Sequence, residues 1–252
     1  MRDASQLNVK IFADSADIDG MKELYANPLI KGFTTNPTLM RAAGISDYHA
    51  FAQEALAAIP DRPISFEVFA DDLSEMEVQT REIGSWGDNV YVKIPVTNTL
   101  GEFCGPIIAN LSKEGVKLNV TAVFTLDQVS RIIAALDAQT PAIVSVFAGR
   151  IADSGIDPVP LMTEAADMLR RSRPKAELLW ASPRELLNIF HADAVGCGVI
   201  TMTNDVLKKL PLLGKDQDEF SLETVRMFFN DAKDAGYTLE THSGAGTRSA
   251  AE

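Results

Sequence analysis

Short runs rich in β-branched and aromatic residues recur eight times along the chain, and helical patterns separate or follow them. Apolar residues recur at the spacing of an amphipathic helix in five segments, 47–59, 72–86, 126–138, 158–172 and 222–236. Strands that alternate with helices predict a parallel sheet, since each parallel connection needs a crossover. The eight runs are VKIFADS (9–15), IKGFTTNP (30–37), ISFEVFA (64–70), VYVKIPV (90–96), KLNVTAVF (117–124), AIVSVFAG (142–149), ELLWAS (177–182) and GVITMTN (198–204).

A closed (β/α)8 barrel and an open doubly wound sheet are the two main ways to arrange such a chain. The chain has 252 residues, close to the ~250 residues typical of the barrel. An open sheet usually carries a glycine-rich phosphate turn after its first strand, but here that strand leads into ADSADIDG. The sequence therefore predicts α/β architecture, with a single (β/α)8 TIM barrel over residues 1–240 and a flexible C-terminal tail at 241–252.

The charge balance limits the partners of the chain. Its formal net charge of −12 argues against a surface for nucleic acid or anionic membranes, but it is compatible with a local cationic pocket. No run approaches the ~18 uninterrupted apolar residues of a membrane span. The first residues, MRDASQLNVK, lack the apolar segment of a signal peptide. We therefore expect a cytoplasmic protein with no nucleic-acid or membrane partner.

Neither a metal site nor a disulfide framework is indicated. The two cysteines, Cys104 and Cys197, are too few and too far apart for either, and we expect both to be small buried apolar residues. The three histidines, His49, His191 and His242, form no ligand-spaced pair. The sequence therefore predicts no metal.

Lys93 is the unusual residue of the fourth run, which otherwise reads as a buried strand. Strand side chains alternate between faces, so Lys93 shares a face with Tyr91, opposite the aliphatic residues of the run. We expect the aliphatic face to pack on the helices, which turns Lys93 into the barrel. A mid-strand proline would lose a ladder hydrogen bond, so Pro95 and Pro37 should mark strand ends. Lys93 then lies near the C-terminal mouth, where barrel enzymes hold their active sites.

The same alternation predicts inward polar side chains on every strand, mostly late in the strand. Any one of them alone reads more readily as a satisfied core or turn residue. Together they are costly, since each imperfect buried hydrogen bond costs roughly 1–3 kcal/mol, and their convergence at one mouth indicates a site. The predicted inward set is Asp14, Thr34, Asn36, Glu67, Lys93, Asn119, Thr121, Ser145, Phe147, Trp180, Ser182, Thr201 and Thr203.

A buried amine suits Schiff-base chemistry. Burial disfavours an ammonium, so the pKa of a buried lysine falls from about 10.4 and the amine becomes nucleophilic. An iminium formed with a ketone then accepts the electrons of a breaking carbon–carbon bond. Glu67 could move protons through a water, and Asp14 could take the proton of the neighbouring hydroxyl. Asn36 and Asn119 could hold substrate hydroxyls.

Two arginines follow strands six and seven, Arg150 in SVFAGRIADSG and Arg184 in WASPRE. Alone, each reads more readily as a surface residue. Both nevertheless fall just past strand ends at the same mouth. With Ser182 they could bind a phosphate, because a guanidinium matches phosphate oxygens.

These residues resemble one known family over nearly the whole chain. TTNPTLM, VKIPVT, LNVTAVF and VSVFAGRI are similar to motifs of the transaldolases, particularly of their short subfamily, which includes fructose-6-phosphate aldolase-like enzymes. The resemblance implies a (β/α)8 barrel that acts through a lysine Schiff base, without metal or organic cofactor. It further implies sugar phosphate substrates, a homo-oligomer and a role in the pentose phosphate pathway.

The resemblance also implies roles for twelve residues. Lys93 is the expected nucleophile, Asp14 the acid/base for carbon–carbon cleavage, and Glu67 acts with Thr121 on a catalytic water. The residues expected to bind substrate are Thr34, then Asn36 and Asn119 for the dihydroxyacetone part, which Ser145 and Phe147 line, and Arg150, Ser182 and Arg184 for the phosphate.

Two positions favour transfer of the dihydroxyacetone unit over its release. Glu67 is typical of transaldolases where the aldolases carry Gln, and Phe147 stands where those aldolases tend to have Tyr. Pro183 departs from the family pattern, which more often has Phe between Ser and Arg, or Lys in place of Arg, and this proline could reposition Arg184. The alternatives are a fructose-6-phosphate-type aldolase, a transaldolase for non-phosphorylated or sulfonated sugars, and a non-catalytic barrel that binds sugar phosphates.

Overall fold

The structure, a computed structural model, describes residues 6–239. Eight strands close into a barrel in chain order, and every neighbouring pair is parallel, including the first strand with the eighth. The predicted single (β/α)8 barrel is confirmed. The strands are β1 (Lys10–Asp14), β2 (Ile30–Thr34), β3 (Ile64–Glu67), β4 (Val90–Pro95), β5 (Leu118–Val123), β6 (Ala142–Val146), β7 (Ala176–Trp180) and β8 (Val199–Thr203).

Helices connect the strands, and all five predicted helices are present. Asp72 caps the helix that begins at Leu73 by accepting from the amides of Ser74 and Glu75, and Thr125 caps the helix that begins at Leu126 in a capping box with Gln128. None of the helices in residues 6–239 is long and apolar enough to cross a membrane. The helices are α1 (Ile18–Tyr25), α2 (Pro37–Ala42), α3 (Tyr48–Ala58), α4 (Leu73–Gly84), α5 (Gly105–Lys113), α6 (Leu126–Ala135), α7 (Ala148–Asp153), α8 (Val159–Ser172), α9 (Leu187–Val195), α10 (Asn204–Leu207) and α11 (Gln217–Asp234), with a 3-10 turn at Leu210–Leu212.

The chain divides into two compact units. The first runs to Leu213 and holds the barrel; the second begins at Gly214 and holds α11. No residue of α11 is buried. The barrel boundary at residue 240 stays a prediction, and the predicted tail at 241–252 lies outside the described residues.

The core has two layers. The larger lies between the strands and the helices, and a smaller cluster fills the barrel interior around Phe12, Leu179 and Val199. Burying a side chain such as that of Phe12 contributes about 1.5–3 kcal/mol. Gly32 makes room for it, because a Cβ there would lie 2.5 Å from the Phe12 ring.

The prediction that Trp180 faces inward is wrong. Trp180 belongs to the outer layer, with its ring centroid 6.2 Å from that of His191 on α9, while Leu179 and Ala181 face the interior. Ser182 nevertheless reaches the barrel mouth, because its φ of 57° leaves the extended conformation on which alternation depends.

Candidate active site

A cavity of about 540 Å³ lies at the carboxyl ends of the strands. All twelve predicted site residues line it, so the structure brings together the complete set. They are Asp14, Thr34, Asn36, Glu67, Lys93, Asn119, Thr121, Ser145, Phe147, Arg150, Ser182 and Arg184. The other lining residues are Pro37, Thr38, Leu39, Ala122, Leu179, Ala181, Thr201 and Thr203.

Lys93 lies in the middle of one wall. The register sets it beside Glu67 of β3 and Asn119 of β5, and only 7% of its surface is exposed. Its Nζ lies 3.1 Å from Glu67 Oε2 and donates to the carbonyl oxygen of Thr35 at 2.9 Å. Two acceptors therefore hold the amine in the cavity. The Thr35 contact has no side-chain signature in the sequence, because the acceptor is backbone.

Asp14 receives hydrogen bonds from two side chains of the β2 end. Thr34 Oγ1 donates to Asp14 Oδ1 at 2.8 Å, and Asn36 Nδ2 donates to Oδ2 at 3.2 Å. Asn36 Oδ1 accepts from the Leu39 amide at 3.0 Å as the N-cap of α2, which turns its NH₂ group towards Asp14. Burial raises the pKa of Asp14 above its ordinary value, although the Lys93 charge and both hydrogen bonds oppose the rise. Such a carboxyl suits proton transfer.

Asn119 is fixed by serines on both neighbouring strands. Its Nδ2 donates to Ser65 Oγ at 3.0 Å, and its Oδ1 accepts from Ser145 Oγ at 2.6 Å. An amide group has two N–H donors. Asn119 also lines the cavity, so this fixed amide forms part of its wall.

Thr121 points a buried hydroxyl into the cavity. Its Oγ1 makes no hydrogen bond to the described residues, which is uncommon for a buried polar atom. The next residue, Ala122, has a φ of 59°, and the β5–β6 register shifts between Val120 and Val123. This irregularity allows the consecutive residues Thr121 and Ala122 both to line the cavity.

The two arginines differ in their contacts. The Arg150 guanidinium lies 5.2 Å from the centroid of the Phe147 ring. Arg184 forms a two-point ion pair with Asp153, in which Nε donates to Oδ1 at 3.0 Å and Nη2 donates to Oδ2. These hydrogen bonds hold the pKa of Asp153 below its usual range. We did not predict that Asp153 would pair with Arg184. The one indication in the sequence is that an acidic residue follows Arg150 by three positions.

Ser182 lies where the loop after β7 meets the start of α7. The Gly149 amide donates to the Ala181 carbonyl at 3.1 Å, and a Cβ on Gly149 would lie 1.5 Å from the Ser182 carbonyl oxygen. Only glycine permits this approach. Ser182 and both arginines thus lie at the mouth, as predicted, where an anion could bind.

Within residues 6–239, no group of three or more His, Cys, Asp or Glu side chains could hold a metal ion. Both cysteines are buried, and burial raises the pKa of Cys104 to about 11.

Comparison with known proteins identifies the family. The family model described as Transaldolase/Fructose-6-phosphate aldolase matches residues 11–245. The chain belongs to this family. It is 37% identical over 202 residues to a "Probable transaldolase" of Dehalococcoides mccartyi, a match that covers 80% of this chain and 90% of that protein. A "Probable transaldolase" of Methanococcus maripaludis is 36% identical over 204 residues, with 80% and 89% covered. Membership implies an enzyme that transfers aldol units.

A solved structure supports the fold alone. The crystal structure of KGPDC from Streptococcus mutans superposes with a TM-score of 0.54 at 9% identity, covering 81% of this chain and 90% of that one. Identity this low carries the barrel architecture and nothing about chemistry.

Proposed function

We propose that the protein is a class I transaldolase, which moves a dihydroxyacetone unit from a ketose phosphate to an aldose phosphate through a Schiff base on Lys93. The observation that carries the proposal is the placement of Lys93, a 7% exposed residue whose amine lies between the Glu67 carboxylate and a backbone carbonyl. A buried lysine without a catalytic role would be a costly placement.

The first half of the reaction forms the imine. Proton transfer from the ammonium to Glu67 leaves a neutral Lys93 amine, which attacks the C2 carbonyl of the ketose. Glu67 then returns the proton to the carbinolamine hydroxyl, and water leaves as the iminium forms. The Thr121 hydroxyl, which makes no hydrogen bond within residues 6–239, is suited to hold that water.

The second half breaks the carbon–carbon bond. Asp14 removes the proton of the C4 hydroxyl, the C3–C4 electron pair moves into the iminium, and an aldehyde leaves an enamine on Lys93. The enamine carbon then attacks the acceptor aldehyde, and Asp14 returns its proton to the new hydroxyl. Hydrolysis of the imine reverses the opening steps and releases the new ketose.

The mouth of the cavity carries groups that can bind the terminal phosphate of the substrates. Arg150 and Arg184 supply positive charge beside the Ser182 hydroxyl, and guanidinium groups bind phosphate through paired N–H donors. Transfer is favoured over release of free dihydroxyacetone because positions 67 and 147 carry the transaldolase-like residues Glu67 and Phe147. The prediction of a role in the pentose phosphate pathway follows from these substrates.

Trapping of the imine tests the proposal. Borohydride reduction in the presence of fructose 6-phosphate should attach one dihydroxyacetone unit to Lys93, detected by peptide mass spectrometry. Lys93→Ala should abolish the adduct, whereas Lys113→Ala, which removes an exposed lysine at the end of α5, should keep it. An adduct on another lysine, or none, contradicts the proposal.

A substrate panel separates transfer from cleavage. A transaldolase should give little free dihydroxyacetone from fructose 6-phosphate until an acceptor aldose phosphate is added. Rapid release without acceptor would instead indicate a fructose-6-phosphate-type aldolase. Faster turnover of non-phosphorylated or sulfonated donors would assign another substrate class to the same mechanism.

A homo-oligomer is part of the proposal. α11 carries large apolar side chains that are at least 40% exposed, among them Phe220, Val225 and Phe228, and such surfaces commonly mark protein contacts. Light scattering after size-exclusion chromatography should give a multiple of the mass of one chain. A monomer at micromolar concentration contradicts this part.

A further inference from the structure

A chain of two threonine hydroxyls leads to Asp14 from the far side of β1. Thr34 Oγ1 lies 2.8 Å from Asp14 Oδ1 and 2.5 Å from Thr201 Oγ1. Thr34 is 2% exposed and Thr201 8% exposed. Their strands, β2 and β8, flank β1 on its two sides, so the chain of hydroxyls crosses the interior in front of that strand.

The number of hydroxyl hydrogens fixes the donor-to-acceptor direction of this hydrogen-bond chain. A threonine hydroxyl has one hydrogen, and an ionised carboxylate only accepts hydrogen bonds. The Thr34 hydrogen therefore goes to Asp14. At the Thr34–Thr201 contact, Thr34 can then only accept, so Thr201 must be the donor. With Asp14 ionised, the direction is Thr201 to Thr34 to Asp14.

We infer that Thr201 is a positioning residue for proton transfer by Asp14, acting through Thr34. Hydrogen bonds in series polarise one another, so donation from Thr201 strengthens the bond from Thr34 to the carboxylate. It also fixes the Thr34 rotamer that brings its hydroxyl to Oδ1. The inference rests on the proposed function, which assigns proton transfer to Asp14.

The other groups that face Asp14 come from different strands. Lys93 of β4 lowers its pKa, Glu67 of β3 raises it, and Asn36 donates a hydrogen bond. A change at Thr201 leaves these three side chains in place. Its effect on the titration of Asp14 would therefore be transmitted through Thr34.

The test is the pH profile of Thr201→Val, which keeps the shape of the side chain and removes the donor. A weaker bond to the carboxylate favours its protonated form, so the acid limb of kcat/KM should move to higher pH by roughly 0.5–1 unit. At a pH on that limb, activity should fall about 3–10-fold. Thr201→Ser restores a hydroxyl and should return the limb towards its original position.

Thr140→Val is the matched control. Thr140 is also 8% exposed and loses a comparable hydrogen bond, from Oγ1 to the Ser112 carbonyl at 2.7 Å, but it does not line the cavity. It should lower stability without moving the pH profile. The inference is overturned if the acid limb of kcat/KM lies at the same pH in wild type and Thr201→Val, or if Thr201→Ser does not return the limb towards its wild-type pH.

Borohydride trapping separates this inference from the proposed function. If wild type forms the Lys93 adduct and Thr201→Val does not shift the profile, only the role of Thr201 is wrong. If wild type forms no adduct, the proposed function itself fails. Should Thr201→Val not fold, Thr201→Ala and Thr201→Ser supply the same comparison.

Discussion

Thr121→Val should make the protein more stable and less active. Valine has nearly the same shape as threonine but lacks its hydroxyl. Thr121 is 2% exposed, and its Oγ1 has no hydrogen-bond partner among the described residues. An unsatisfied buried polar group costs about 1–3 kcal/mol, and the substitution removes that cost. For a chain of this size, each kcal/mol corresponds to roughly 2–4 °C in Tm.

Thr80→Val is the control for the stability gain expected in Thr121→Val. Thr80 is fully buried, but its hydroxyl donates to the Met76 carbonyl at 2.7 Å. Loss of a satisfied hydrogen bond costs about 0.5–1.5 kcal/mol, so Thr80→Val should lower Tm while Thr121→Val raises it. Thermal melts and urea titrations of both variants measure the difference.

The kcat values of the same two variants should also differ. In the proposed mechanism Thr121 holds the water released from the carbinolamine, so Thr121→Val should lower kcat by about 100-fold or more. Thr80→Val, on α4, should retain kcat. A drop in Tm for Thr121→Val like that for Thr80→Val would refute the reasoning, because it would mean that the hydroxyl is satisfied in the free enzyme. An unchanged kcat would remove Thr121 from the mechanism.

Three further outcomes are expected. Gly149→Ala should lower Tm, since its Cβ would lie 1.5 Å from a backbone oxygen and overpacking costs about 1–3 kcal/mol; an unchanged melting curve would show that the facing loop moves away. Asp153→Asn should lower KM for phosphorylated donors by up to about fivefold, since substrate no longer competes with a carboxylate for Arg184; a higher KM in steady-state assays would mean that Asp153 orients the arginine instead. Cys104 and Cys197 should resist an aromatic disulfide reagent in the folded protein, because burial raises the pKa of both thiols; rapid labelling without denaturant would contradict this.

The strands were predictable because buried parallel strands appear as apolar β-rich runs. Asp72 and Thr125 are residue types that favour a helix start, and their side chains cap α4 and α6. α5, whose N-cap Cys104 makes no side-chain capping bond, was missed, but so were α1 and α2, which Asp17 and Asn36 cap. α9 was missed because its polar residues, Asn188, His191 and Asp193, are spread around the helix, so LNIFHADAV lacks a one-sided apolar pattern.

The residues of the candidate site could be predicted from the alternation of side chains wherever the strand is regular. Lys93, Glu67 and Asp14 lie on regular extended strands, and period two was enough to turn them inward. The rule failed at Trp180. Trp180 was expected to face the same way as Ser182, but Ser182 has a left-handed φ of 57°, so the two residues do not follow one alternation. Contacts such as the Lys93 bond to a backbone carbonyl depend on closure of the barrel, which no local pattern encodes.

Asn36 joins the start of a helix to the acid of the site, since one amide group serves both Asp14 and the Leu39 amide. Fraying of the first turn of α2 would therefore also withdraw a donor from the carboxylate. A ligand that holds Asn36 in place should slow deuterium uptake at the Leu39 nitrogen. That single exchange rate would then report occupancy of the barrel mouth without a chemical label.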